Sequence, residues 1–469
     1  MTSGNGLGLH RTLGVMDLVF LNIAAILGIR WLSTAAQLGP ASLVLWVLAV
    51  LVFFIPSGLT VMELSSRDSR AGGIYRWTKA AFGEHHGFIT GWAYWVNNLF
   101  YYPSLLIFIS GAFLFLGGDR WLGLEDNPYY NAAFSLTLLW IVIGMNIIGL
   151  ERGKWIQNVG AMCTVSVFVV LVVTGIWAWA EYGSATRFKP RAFVPDVAQF
   201  STLTFFATMT FAFAGLELAP AMGGEIKNPV RSIQRAMVIS GLLIALIYIT
   251  GTGMLMVAIP EGEVDVITGI PQALAAIGGR IALPGLAIAG ALLVVMSSIG
   301  GLGAWIAGVA RIPFVIGIDR YLPSALGRVH PKWGSPYVAL ITMGVIVTLL
   351  MFAAVAGATI EEAYIMLLDM AIILYFIPFL YMFAALPVLR MKAAGDNDGV
   401  SLVPGGMFGV WFVGGLGFAA TMLSVVLAMI PPEGTSNPQL FVLKVVGGCL
   451  LFVAVGLIFY LVNRKRVSS

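Results

Sequence analysis

The chain has 469 residues, of which 59% are hydrophobic and 10% charged, with a mean hydropathy of +0.93. Soluble domains carry about 25% charged residues, so too little polar surface is available for a water-soluble fold. The ~10-residue alternating segments of a membrane β-barrel do not occur either. The net charge of +4 does not point to nucleic acid, because the basic residues cluster at the ends of apolar runs.

In chain order, twelve runs are long enough to cross a hydrocarbon core of about 30 Å as helices: residues 15–38, 42–65, 88–116, 131–150, 155–180, 201–222, 236–259, 281–309, 337–357, 363–388, 406–430 and 438–462. The expected fold class is an all-α membrane protein embedded in a lipid bilayer. The first run is flanked only by Arg11 and continues past the length of a signal-peptide core, so no cleaved signal is expected. Cys163 and Cys449 fall within apolar runs and read as buried free thiols. His10, His85, His86 and His330 sit in loops or flanks without a partner at metal-ligand spacing, so neither a metal nor a cofactor is expected.

The loops alternate in charge. Arg67, Arg70, Arg76 and Lys79 follow the second run, Lys227, Arg231 and Arg235 the sixth, Arg311, Arg320, Arg328 and Lys332 the eighth, and Arg464, Lys465 and Arg466 end the chain. Opposite them lie Glu125 and Asp126, then Glu261, Glu263 and Asp265, then Glu361 and Glu362; Arg187, Lys189 and Arg191 depart from the pattern. This positive-inside asymmetry places both termini in the cytoplasm and the protein in the plasma or inner membrane.

Backbone that leaves helical geometry inside a bilayer must be buried in protein or line a cavity, so interruptions within runs are informative. The first run reads "NIAAILGIRW", with Asn22, Gly28 and Arg30; the sixth reads "FAFAGLE", with Gly215 and Glu217. Close helix packing explains a single glycine. A matched pair, five runs apart and each beside an ionisable residue, points to an inverted-repeat transporter with its site at mid-membrane. Broken ends would offer N–H groups to a carboxylate and carbonyls to an ammonium or metal cation.

Three stretches extend this reading: "ELSSRDSRAGGIYRWTKAAFGEHHGFITGWAYW" (63–95), "FAFAGLELAPAMGGEIKNPVRSIQRAM" (211–237) and "GGLGAWIAGVARIPFVIGIDRYLPSALGRVHPKWGSPYVAL" (300–340). Together they resemble the amino acid–polyamine–organocation transporters, particularly the bacterial glutamate/GABA and arginine/agmatine antiporters, over roughly residues 12 to 462. The resemblance implies a ten-helix inverted-repeat core over 15–388, peripheral helices over 389–462, and short cytoplasmic ends at 1–14 and 463–469. It implies an unwound substrate-binding segment at Ala24, Ala25, Ile26, Leu27 and Gly28, a second break at Ala214 and Gly215, and pocket residues Asn98, Phe211 and Trp305. It further implies a gating or proton-sensing role for Glu217.

Departures limit what carries over. The usual span 1 motif is reduced to "ILGIRW", Arg30 is unusual, Thr164 stands where some relatives have a lysine, and Gly301 replaces an acidic residue of the glutamate/GABA branch. An intramembrane Arg must face a partner or water. Arg30 is read either as a structural ion pair with Glu217 or Asp369, or as an attractor of a substrate carboxylate. Asp369 is read as a structural partner or a proton carrier. Ser297 and Ser298 match hydroxyls of sodium-coupled relatives or serve close packing, which leaves H+ and Na+ as candidate coupling ions. The function expected is secondary transport of amino acids or related amines, by a monomer or homodimer. The alternative is ion-coupled transport of another small solute: a polyamine, an organic cation or a carboxylate. An enzyme would need a catalytic couple at membrane depth, and a channel a repeated pore loop or charge ring; neither is seen.

Overall fold

The computed structural model describes residues 11–467 apart from 126, 197–199, 261, 266–267, 319–320, 356–359, 394–401 and 432–437. Of the residues named above, His10, Asp126, Glu261 and Arg320 lie outside the described residues, as do the side chains of Glu361, Glu362, Arg464, Lys465 and Arg466. The molecule is a bundle of helices: α1 Val15–Ile26, α2 Arg30–Ala36, α3 Ala41–Arg67 with a π turn at Val50–Phe54, α4 Gly73–Phe82, α5 Glu84–Leu114, α6 Pro128–Ile147 and α7 Leu150–Tyr182. There follow α8 Phe200–Ala212, α9 Leu218–Ala221, α10 Pro229–Ala258, α11 Gly269–Arg280, α12 Leu286–Val309, α13 Arg311–Ile318, α14 Tyr337–Val355, α15 Ile360–Ala393, α16 Gly406–Leu427 and α17 Pro438–Val467.

Among the described residues, nine helices are long and apolar enough to cross a membrane, and α1 with α2, bent by 44° at their junction, make a tenth. The expected sixth and ninth spans appear as shorter apolar helices, Thr202–Ala212 and Tyr337–Phe352. The sixth is short because its helix stops at the anticipated break; the ninth runs up to the undescribed residues 356–359. The eighth begins at Leu286 rather than 281, because Ala282 takes a left-handed conformation (φ 56°) two residues before Pro284.

Local chemistry sets several boundaries. The Asn127 side chain accepts from the N–H groups of Tyr129 and Tyr130 at 3.0 and 3.2 Å, with Pro128 as first residue of α6; this satisfies donors that a helix start leaves orphaned. The crossing of α7 and α12 depends on Gly160 against Gly300, where a Cβ on Gly160 would fall 2.4 Å from the Gly300 Cα. Small residues at such crossings let helix backbones approach closely in a membrane, where packing rather than the hydrophobic effect drives association.

The basic loops converge at one end of the bundle. There the N-terminal residues Thr12 and Leu13 donate to the Glu225 carbonyl at 2.9 and 3.0 Å, and the Lys227 N–H donates to the Leu13 carbonyl at 2.9 Å, forming a short parallel bridge. Arg311 grips the Glu225 carboxylate with two bonds of 2.9 and 3.0 Å in a buried site. Gly72 N–H donates to the Ala221 carbonyl at 3.0 Å, tying the loop after α3 to the exit of α9. Buried Glu63 receives Arg67 and Arg390 at 3.2 Å each and the Val403 N–H at 3.0 Å. In the adjoining loop, burial would raise the pKa of Asp68, but hydrogen bonds from Arg70 and the charge of Arg76 outweigh it and hold the carboxyl below its ordinary value.

Candidate functional site

The two expected breaks are present and adjacent. Helix α1 ends at Ile26 and α2 starts at Arg30; α8 ends at Ala212 and α9 starts at Leu218. Gly215 sits in the second break at φ +132°, a conformation open to glycine at little cost, and a Cβ there would lie 2.7 Å from Ile26 Cγ1. The first break lies slightly later than anticipated, since Ala24, Ala25 and Ile26 still belong to the helix and only Leu27, Gly28 and Ile29 interrupt it. The helix can run that far because its last carbonyls find side-chain partners. Trp305 Nε1 donates to the Ala25 carbonyl at 2.8 Å, and the Tyr248 hydroxyl lies 2.5 Å from the Ile26 carbonyl. Helix α12 comes equally close to the Ala24 carbonyl, where a Cβ on Gly301 would stand 2.7 Å away.

Tyr248, on α10, joins the two breaks. Its hydroxyl shares one proton between the carbonyls of Ile26 and Ala212, the latter at 3.1 Å, and accepts from the Gly28 N–H at 3.2 Å. The ring stacks on Trp46 at 4.5 Å and is fully buried. Tyr248→Phe removes three backbone contacts at once. An unsatisfied buried group costs about 1–3 kcal/mol, so the variant is expected to melt measurably lower in detergent; an unchanged melting temperature would show that the breaks do not depend on this hydroxyl.

Glu217 serves the second break. Its carboxylate accepts from the Gly215 N–H at 3.0 Å, from the Tyr94 hydroxyl at 2.8 Å and from the Tyr375 hydroxyl. The expected ion pair with Arg30 is not formed: neither Glu217 nor Asp369 pairs with Arg30 among the described residues. The reason is aromatic packing. The Arg30 guanidinium lies 4.3 Å from the Trp31 ring centre and 4.9 Å from that of Tyr101. Tyr101 packs on Phe211 and Trp305, which both pack on Tyr375, and Tyr375 in turn holds Glu217. A wall of rings therefore separates cation from carboxylate. Asp369 shares a helix with Tyr375 but neighbours Cys449 of α17, so it stands away from this cluster.

Beside the aromatic wall lies a small cavity with a volume of about 20 Å³, room for a water-sized molecule. It is bounded by Ala24, Ala25 and Leu27–Arg30 at the first break, by Tyr101, Leu105 and Phe108 of α5, and by Ser297, Ser298 and Gly301 of α12. Asn98 lies one turn before Tyr101; its Nδ2 donates to the Tyr94 carbonyl at 2.9 Å, and it is not in the cavity wall. Ala214 is buried inside the second break. Ser297 and Thr164 share a hydroxyl–hydroxyl bond of 2.5 Å that links α12 to α7.

Sequence reasoning therefore anticipated both breaks; Trp305 and Phe211 pack around them but, like Asn98, do not line the cavity, and the three tyrosines were missed. Tyr94, Tyr248 and Tyr375 lie in apolar helices where a tyrosine carries no positional signal. Only their contacts, 123, 222 and 158 residues away along the chain, give them a role.

An apolar all-helical bundle with two mid-course breaks meeting beside a small cavity defines a polytopic membrane transporter. The chain belongs to the amino acid permease family, whose profile matches residues 13–455, and so to the amino acid–polyamine–organocation superfamily. It is 30% identical to an uncharacterized transporter of Legionella pneumophila over 98% of both chains. It is 23% identical to a glutamate/gamma-aminobutyrate antiporter of Lactococcus lactis, over 83% of this chain and 78% of that one. A serine/threonine exchanger of Bacillus subtilis is 24% identical over 84% of this chain and 87% of its own.

Proposed function

We propose that the protein is a secondary transporter that moves amino acids or related amines across the cell membrane by alternating access, with both termini in the cytoplasm. The observation that carries this reading is the meeting of the two breaks at Ile26, Gly215 and Tyr248. Unwound backbone at mid-bundle offers polar groups to a small solute and lets the half-helices pivot on either side of it. Exchangers among the relatives support the substrate class.

In this reading the small cavity beside the first break widens to receive the substrate as the half-helices pivot, with Tyr101 in its wall and Phe211 and Trp305 packed behind Tyr101 on the side of Glu217. Glu217 couples the state of the second break to the aromatic wall through Tyr375. Coupling to H+ or Na+ has two candidate seats: the Glu217 carboxylate, and the hydroxyl cluster of Ser297, Ser298 and Thr164.

Counterflow in proteoliposomes tests the proposal. Radiolabelled amino acids or amines should exchange without ATP, and Trp305→Ala and Phe211→Ala should each slow exchange at least about tenfold, the range of one lost transition-state or binding contact of ~1.4 kcal/mol, while still inserting and eluting as the parent does. Parent-rate exchange in both variants would remove the pocket assignment, and a parent that exchanges none of the panel would remove the transporter reading.

A further inference from the structure

We propose that the start of α10 carries a binding site for an anionic phospholipid, its phosphate held between Arg231 and Arg235 and its acyl chains laid along Val238, Leu242 and Leu246. This needs only that the chain spans a bilayer, and it goes beyond the transport reading above. At 3.6 residues per turn these five positions share one face of the helix, and all five side chains are exposed. Val238, Leu242 and Leu246 are 54, 72 and 54% exposed, so the apolar half of the stripe is open along its length.

Charge and depth identify the occupant. Exposed Arg11 and Lys227 stand at the polar end of the stripe, because the N-terminal segment bridges to the exit of α9 there and the Lys227 N–H donates to the Leu13 carbonyl at 2.9 Å. Among the described residues, none of the four cations forms an ion pair. The carboxylates of the two bridged segments are engaged elsewhere: Glu225 by Arg311, and Asp17 by the Gly14 N–H at 3.0 Å. A helix rises about 1.5 Å per residue, so Arg235 to Leu246 covers about 16 Å, one leaflet of a hydrocarbon core about 30 Å thick. A soluble anion would use the cations and leave the apolar half of the stripe bare. A second copy docked on this face about a two-fold axis normal to the membrane would set Arg231 and Arg235 against their counterparts, and like charges repel. A lipid with a negative headgroup satisfies both halves at once. Each Lys or Arg at such a surface strengthens the attraction about fivefold.

Titration of the full chain in detergent with dioleoylphosphatidylglycerol, dioleoylphosphatidylcholine and inorganic phosphate decides it, read by melting temperature and by the lipid retained in native mass spectrometry. Phosphatidylglycerol is expected to raise the melting temperature and to bind at least about tenfold more tightly than phosphatidylcholine, while inorganic phosphate moves neither readout. Arg231→Gln with Arg235→Gln should weaken phosphatidylglycerol about twentyfold and leave phosphatidylcholine unchanged. Leu242→Ser with Leu246→Ser should weaken both lipids. Arg187→Gln, Lys189→Gln and Arg191→Gln together remove three charges from the loop after α7 and should leave the preference intact. If the double Gln variant does not fold, Arg231→Gln alone takes its place, with an expected loss of about fivefold. Equal binding of the two lipids, the same stabilisation by inorganic phosphate, or an equal loss in the loop variant overturns the site. So do unchanged lipid affinities in the Ser variant and a dimer that excludes the lipid. None of these outcomes bears on the transporter reading, which counterflow tests separately.

Discussion

Arg311→Ala alone is expected to destabilise the protein by about 3–5 kcal/mol, because it leaves the buried Glu225 carboxylate without its cation. Both side chains are almost fully buried, and the guanidinium meets the carboxylate through two nitrogen–oxygen contacts of 2.9 and 3.0 Å. Arg311 also donates to the Ala307 carbonyl one turn earlier, so the truncation frees a backbone acceptor where α12 gives way to α13. Replacing both partners by Met should recover most of the loss, since desolvating two charges offsets much of their attraction and apolar side chains of similar volume do as well. Thermal melting of the single and double variants in the same detergent measures this. If Arg311→Ala melts within a degree or two of the parent, Glu225 is hydrated and the pair is not a clamp. A recovered double variant that still fails to exchange substrate would show that the pair acts in the transport cycle as well as in the fold.

Gly215→Val should destabilise by about 2–6 kcal/mol and reduce exchange below a tenth of the parent rate. Two costs add. A non-glycine residue at φ +132° carries about 1–3 kcal/mol of backbone strain, and overpacking a filled interior costs typically another 1–3. The geometry names the obstacle: the new Cβ would stand 2.7 Å from Ile26 Cγ1 and 3.4 Å from Trp305 Cζ2. Pairing Gly215→Ala with Ile26→Ala separates the two costs. The second substitution makes room without changing φ, so the double variant should recover the steric part and keep the backbone part. Full recovery would mean that φ at this position is free to change, and that the second break is held by packing alone.

Much of this architecture was legible in the chain because a membrane removes alternatives. A bilayer forbids unsatisfied backbone, so "AILGIRW" and "FAFAGLE" could only be breaks or packing sites, and pairing them decided between the two. What holds the breaks was not legible. Tyr248 and Glu217 act through hydroxyl and carboxylate contacts with segments remote in sequence, and no local pattern distinguishes a tyrosine that caps a backbone from one that fills space. An ion pair with Glu217 or Asp369 was one of the two readings of Arg30, because an intramembrane cation invites an anion. The structure instead sets that cation against two rings, and one of them is the very next residue. Arg311 was read only as one of the basic residues after the eighth run, and Glu225 only as part of the family-like stretch 211–237. Their burial arises from the N-terminal segment and the loop after α3 closing over them, which run lengths and charge counts do not reveal.

The small bridge between Leu13 and Ile226 gives the molecule a clock that needs no label. The amides of Thr12, Leu13 and Lys227 are bonded only while the start of the chain lies against the exit of α9. If that end of the bundle parts during the cycle, these three amides become exposed together, in step with the release of Glu225 from Arg311. Their hydrogen–deuterium exchange then counts openings rather than unfolding. Substrates that hold the end shut slow it, and solutes that the site ignores leave it running at its resting rate.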